Sequence, residues 1–93
     1  MTNAVSDNPE RRRYELTVEG SIAFIDYHRV GKLRVLTHTE VPAAVRGRGV
    51  GAQLTAGALQ LVREGGERIE VRCSYVAQFI ARNPQFQDLL APP

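Results

Sequence analysis

The chain has 93 residues, 43% of them hydrophobic and 24% charged, with a formal net charge of +2 and one cysteine, Cys73. That length supports one hydrophobic core, so any ligand must bind the same core that holds the fold together. The composition excludes a disordered or disulfide-stapled chain, the small net charge does not argue for nucleic acid, and no apolar stretch reads as a signal peptide or membrane span. The expected setting is cytoplasmic, and the expected state a monomer or small homo-oligomer.

Residues 1–10 are polar, contain Asp7, Asn8 and Pro9, and show no periodicity, which predicts a loose leader ahead of a single domain over 11–93. Arg11-Arg12-Arg13 reads as a solvated tail or strand edge. From Arg13 to Val18 apolar residues alternate, Glu19-Gly20 supplies a turn, and Ser21 to Val30 is rich in β-formers, which together predict a hairpin. Gly31-Lys32 turns the chain into a third strand, Leu33 to Val41, with Val35, Thr37, Thr39 and Val41 on one face and Leu36, His38 and Glu40 on the other. Pro42 stops it, and a Gly-rich segment leads into a helix over Val50 to Glu64 whose stripe is Val50, Leu54, Ala58, Leu61 and Val62. Gly65-Gly66 ends this helix, Arg68 to Arg72 is a short strand, and Ser74 is expected to cap a second helix over Tyr75 to Arg82. Phe86, Leu89 and Leu90 are expected to close the core, together with Tyr75 and Phe79. The fold class implied is α+β, a mostly antiparallel sheet with one long helix on a face and a short C-terminal helix.

Charge is unevenly distributed. Between Arg29 and Arg48 stand five cations, Arg29, Lys32, Arg34, Arg46 and Arg48, against one acid, Glu40, and this block is where a polyanionic ligand would be drawn. Within it, Arg46-Gly47-Arg48-Gly49-Val50-Gly51 places alternate glycines and two arginines at the start of an amphipathic helix. Orphan N–H groups and the helix dipole converge there, and glycines let a ligand approach the backbone, so the segment reads as a phosphate site. Gly47-x-Gly49-x-x-Ala52 also satisfies a dinucleotide fingerprint on paper, with Glu70 near the distance of a ribose-binding acid. It fails in context, because Pro42 to Arg46 separate the glycines from the strand and an antiparallel meander precedes it. A Walker A loop fails as well, since no Lys-Ser or Lys-Thr follows Gly51.

The segment resembles the coenzyme A motif of the GCN5-related N-acetyltransferases, Arg/Gln-x-x-Gly-x-Gly/Ala, with Arg46, Gly49 and Gly51 on its fixed positions. His38-Thr39-Glu40-Val41-Pro42, the glycine loop and Cys73-Ser74-Tyr75 together resemble the minimal single-domain subfamily of YjdJ-like or NATD1-like proteins, over nearly the whole chain from about Arg12 onward. The resemblance implies acetyl-CoA as cosubstrate and no metal. Its pyrophosphate would be held by the N–H groups from Arg46 through Gly47, Arg48, Gly49, Val50 and Gly51 to Ala52. Its pantetheine would lie along Thr39 to Val41 as if it were an extra strand.

Acetyl transfer to an amine needs the neutral amine, so a base is required. Glu40 is the candidate, placed where the family puts an acidic side chain at the end of this strand, and His38 shares its face; the alternative for both is a structural polar residue. Cys73 precedes a helix N-terminus, whose dipole favours a thiolate, so it is a candidate acyl acceptor or proton donor; the alternative is a small core residue. The resemblance also implies an oxyanion donor in the Val41 N–H. Larger relatives carry an acid tyrosine on the last helix, near Ile80 to Ala81 here, and N-terminal helices that shape an acceptor pocket; this sequence has neither. An unidentified amine acceptor, a peptide or protein among the options, fits an open site, and a non-catalytic acyl-CoA-binding module is the alternative function. With no interleaved aromatics or known module, nucleic acid is not an expected partner, and neither is a membrane.

Overall fold

The structure is a computed structural model that describes residues 3–92; Met1, Thr2 and Pro93 lie outside the described residues. Five strands form one sheet in chain order, β1 (Ser6–Asn8), β2 (Arg13–Val18), β3 (Ser21–Val30), β4 (Leu33–Glu40) and β5 (Arg68–Val71). The first four are antiparallel and β5 runs parallel to β4. A parallel partner cannot be reached by a tight turn, and here the crossover is the long helix α1 (Val50–Glu64), with α2 (Ser74–Arg82) following β5. The α+β class and the helix placements agree with the sequence reading.

The alternation of β2 and β3 decides which face is buried. Tyr14 and Leu16 lie opposite Ile25 and Ala23, and all four are buried under α1, whose Leu54, Ala58, Leu59 and Val62 form the other half of the core. Val76 and Ile80 of α2 join the same cluster, and Leu89 closes it. Outward-facing Arg13 pairs with Glu15 at 2.6 Å and lies 4.3 Å over the Phe24 ring. The β2–β3 turn has positive φ at both Glu19 (49°) and Gly20 (81°), the pattern whose twist matches a two-residue hairpin.

Residues 3–10 are not a loose leader. β1 pairs with β2, Val5 is buried, and the segment crosses α1 at Gly57, where the Asn3 side-chain amide donates to the Gly57 carbonyl at 2.9 Å. A single buried valine beside polar neighbours has no periodicity, so the strand left no pattern to read. The ligand-drawing basic block is corrected at Arg34 as well. Its guanidinium is buried, ion-paired to Asp7 at 2.9 Å and Glu67 at 3.0 Å, bonded to the Tyr14 hydroxyl at 2.8 Å, and 4.6 Å over the Tyr27 ring. Arg29 is also occupied, by Glu67 at 2.6 Å. Acids distant in sequence, Asp7 and Glu67, neutralise what looked like a cationic run.

Strict alternation on β4 fails at one point. Asp26 pairs with His38 but Tyr27 pairs with Leu36, so Thr37 is an extra residue, its hydroxyl donating to the Asp26 carbonyl at 3.3 Å. Because of this bulge, Leu36 and Thr39 share the core face despite their odd spacing, opposite Tyr27 and Ile25. The β4–β5 pairing ends at Leu36 and Val71, with a last bond from the Arg72 N–H to the Leu36 carbonyl at 2.8 Å. Beyond it, Thr37 to Glu40 keep β3 on one side and have no strand on the other.

Two predictions follow from this packing. A Cβ at Gly57 would stand 2.7 Å from the Asn3 Oδ1 and closer still to Val5, so Gly57→Leu should lower stability by about 2 kcal/mol in urea unfolding, although leucine is the better helix former. Tyr14 and Tyr27 should govern alkaline unfolding. Burial, then the hydrogen bond to Asp7, pushes Tyr27 up from 10.0 to about 12, and burial pushes Tyr14 up too. A raised folded-state pKa means that this stability is intact below about pH 10, the unfolded value, and is lost as pH rises through the folded value. Circular dichroism should therefore hold to about pH 10 and collapse near or above about pH 12, together with the rise in tyrosinate absorbance.

Candidate functional site

After β4 the chain makes one 3-10 turn, Ala43–Val45, and enters the glycine loop. Gly47 and Gly49 both adopt positive φ, 80° and 73°, with Arg48 between them outside that region. Two left-handed glycines one residue apart let the N–H groups of the loop turn toward a common side, as an anion site requires. Gly49 is the N-cap of α1 and offers no side chain to the first turn, which contains no acidic residue. The N–H groups of Val50, Gly51 and Ala52 precede the first helical bond, from Gln53 N–H to the Gly49 carbonyl at 3.0 Å, so they have no acceptor within the helix.

Against this helix end opens a cavity of about 380 Å³ lined by residues of the β4 end (Thr39, Glu40, Val41), of the loop (Arg46, Gly47, Gly49, Val50, Gly51) and by Tyr75. Eight of the sequence-predicted site residues thus meet around one space. Arg48 and Ala52 belong to the same loop and helix turn but lie outside its lining; the Arg48 guanidinium is paired with Glu19 in the β2–β3 turn, and Ala52 lines an adjoining cavity. Arg46 donates through Nε to the Val41 carbonyl at 2.8 Å and brings Nη2 to 3.7 Å from Glu40, which ties the loop to the strand end. His38 lies outside the lining but touches Glu40, Nε2 to Oε1 at 3.2 Å, and meets the Phe24 ring edge-on.

Cys73 bridges the parted strands. Its Sγ is 3.2 Å from the Thr39 hydroxyl oxygen, and Cys73 itself, not Ser74, occupies the N-cap of α2, with extended backbone and no side-chain capping bond. Helix α2 consequently starts one residue earlier than its capping chemistry suggests.

Tyr75 was read as core and is not. It is 42% exposed and leans over the first turn of α1, where a Cβ on Gly51 would lie 2.8 Å from Tyr75 Cζ and closer to the hydroxyl. The legible signal was Gly51 itself, since a glycine just inside a helix costs stability unless something approaches the backbone. Among the described residues no group of three or more His, Cys, Asp or Glu side chains could hold a metal ion, and no helix is long and apolar enough to cross a membrane.

A crossover helix fed by a glycine-arginine loop, next to a parallel pair that parts at that end, makes an α+β domain with an anion-suited helix end beside a free strand edge. The chain belongs to the family described as GCN5-related N-acetyl-transferase, whose profile matches residues 13–89. It is similar to Protein NATD1 of Bos taurus, 39% identical over 93 residues covering 95% of this chain and 82% of the relative, and to Protein NATD1 of Homo sapiens, 36% identical with the same coverage. The solution structure of a GCN5-like protein from Staphylococcus aureus has the same fold, with a TM-score of 0.71 at 22% identity over 100% of this chain and 93% of that one.

Gly51→Ala tests the contact under Tyr75. The variant should lose about 1–2 kcal/mol despite alanine's better helix propensity, and adding Tyr75→Ala should restore most of that loss in a double-mutant cycle read by thermal unfolding.

Proposed function

We propose that this chain binds acetyl-CoA at the glycine loop and transfers the acetyl group to an amine. The observation that carries the reading is the meeting of an anion-binding helix end with an unpaired strand edge around one cavity. The residues suit the molecule: the backbone N–H groups of Gly47 to Ala52 and the charges of Arg46 and Arg48 would hold a pyrophosphate, and the free edge of Thr37 to Glu40 would pair with the amide groups of pantetheine. Arg48 would exchange its surface pair with Glu19 for phosphate, a substitution that costs little because exposed ion pairs contribute little. Acetyl-CoA supplies an activated acyl thioester.

The chain's own groups provide the rest. Glu40 removes a proton from the incoming ammonium, directly or through water, and His38 orients its carboxylate. The Val41 N–H meets the negative charge that develops on the acyl oxygen. Cys73, beside Thr39 in the gap, returns a proton to the departing thiolate, or takes the acyl group first.

Calorimetric titration of acetyl-CoA tests the binding half. Wild type should bind saturably and Gly49→Trp should not, because a side chain there meets a positive φ and fills the anion site. Absence of binding to wild type would sink the reading. For transfer, Glu40→Gln should lower kcat by about 10²-fold with acetyl-CoA binding retained; wild-type binding without acetylation of any amine offered would leave a binding module. Intact mass after exposure to acetyl-CoA should show an adduct lost in Cys73→Ala if the acyl group passes through sulfur.

A further inference from the structure

The run Arg11-Arg12-Arg13 is one motif in sequence and three environments in the structure. Arg13 is turned against Glu15 and the Phe24 ring. Arg11 is exposed, its backbone N–H donating to the Asn8 side chain at 3.2 Å. Arg12, in the β1–β2 turn, lines a cavity of about 480 Å³ together with Pro9, Tyr27, His28 and Arg29. This cavity shares no lining residue with the one at the glycine loop. It lies toward the other end of β3, where Arg29 is registered with Arg34 while Phe24 is registered with Glu40.

Arg12 holds φ at 55°. A left-handed backbone costs any residue that carries a Cβ, and glycine or asparagine would occupy the position with less strain. The chain carries a guanidinium there instead, which points to a use for the side chain rather than for the turn.

The charges around the cavity leave this arginine over. Asp7 gives one carboxylate oxygen to the Tyr27 hydroxyl at 2.6 Å and the other to Arg34 at 2.9 Å. Glu67 divides its two between Arg34 at 3.0 Å and Arg29 at 2.6 Å. Asp7 and Glu67 thus balance Arg34 and Arg29. Arg12 makes no ion pair among the described residues, and Glu10 is not part of the cavity's lining. Arg29 is engaged through one nitrogen and its side chain is 52% exposed, so donors of its fork remain, and the His28 imidazole adds another. Two guanidinium groups and an imidazole suit the oxygens of a dianion. The volume exceeds what a bare phosphate needs and falls in the range of small-ligand sites, from roughly 300 Å³ upward.

We propose that this cavity is a second anion site, separate from the glycine loop, that binds a small organic phosphate monoester. Arg12 and Arg29 take the phosphate, His28 donates to it, and Pro9 and the Tyr27 ring wall the organic part. The site depends on neither acetyl-CoA binding nor acetyl transfer.

Amide NMR during titration with phenyl phosphate locates binding residue by residue. At about pH 8, where a phosphate monoester is a dianion, the amides of Arg12, Tyr27, His28 and Arg29 should shift saturably. Phenylsulfonate, the same body with a single charge, should bind roughly fivefold more weakly, and inorganic phosphate, the charge without the body, should also bind more weakly. Arg12→Gly should abolish the saturable shifts without lowering the melting temperature, because glycine relaxes the left-handed position, and Arg12→Lys should keep part of the affinity. Shifts confined to Arg46 through Ala52, equal affinity for the sulfonate, or undiminished binding in Arg12→Gly would each overturn the assignment. So would a lower melting temperature in Arg12→Gly, which would make the side chain a support of the turn. Tighter binding of a single-stranded oligonucleotide to the same four amides would overturn it too, in favour of a nucleic-acid surface.

Discussion

The site exists because two parallel strands that pair at one end are made to part at the other. Thr37 is the cause: as an extra residue opposite Asp26 and Tyr27 it bends β4 just where the last bond to β5, at the Leu36 carbonyl, is made. From that point β4 carries an unpaired edge of four residues, normally a liability in a sheet. Here it runs into the glycine loop, so an unsatisfied strand and an unsatisfied helix end face the same space. Neither feature alone specifies a ligand. Together they set a free strand edge and an anion-suited helix end around one cavity.

The opposite end of the sheet is held shut. Arg34 draws Asp7 from β1, Tyr14 from β2 and Glu67 from the turn before β5 onto one guanidinium, while Tyr27 of β3 lies beneath it and bonds Asp7 at 2.6 Å. Four strands and a turn therefore meet at a charge that has left water, where each partner lost would leave another uncompensated. Strands clamped at one end and parted at the other form a wedge with a defined apex. The clamp positions the cavity from across the molecule without touching it.

Elements with a period were legible and tertiary exceptions were not. Helix α1 was readable to its ends because its apolar stripe is bounded by Gly49 and Gly65, and the β2–β3 hairpin because Tyr14 and Leu16 alternate toward Glu19-Gly20. The position and backbone shape of the glycine loop ahead of α1 were legible because glycine spacing is a backbone property carried directly by residue type. What could not be seen arose from distant pairings. Arg34 was taken for a ligand-facing cation because its acids lie 27 and 33 positions away, at Asp7 and Glu67. The Thr37 bulge has no glycine to announce it, β1 is too short to show alternation, and Tyr75 sits at a spacing that serves the core equally well.

The N-terminal strand has a bearing on how the molecule assembles. The contact of Asn3 with Gly57 joins positions 54 apart, and the surface it uses exists only after α1 has been laid on β2 and β3. The meander from β2 to β4 can zip through two-residue turns, and the crossover must then close before β5 finds β4. Only afterwards is there a helix for β1 to lie against. With three residues of pairing, β1 is the most weakly laddered strand of the sheet and the one expected to fray most readily. Because Asp7 travels with it, each such departure exposes one side of the Arg34 charge, so the fraying of a short edge is coupled to the electrostatics of the sheet's closed end.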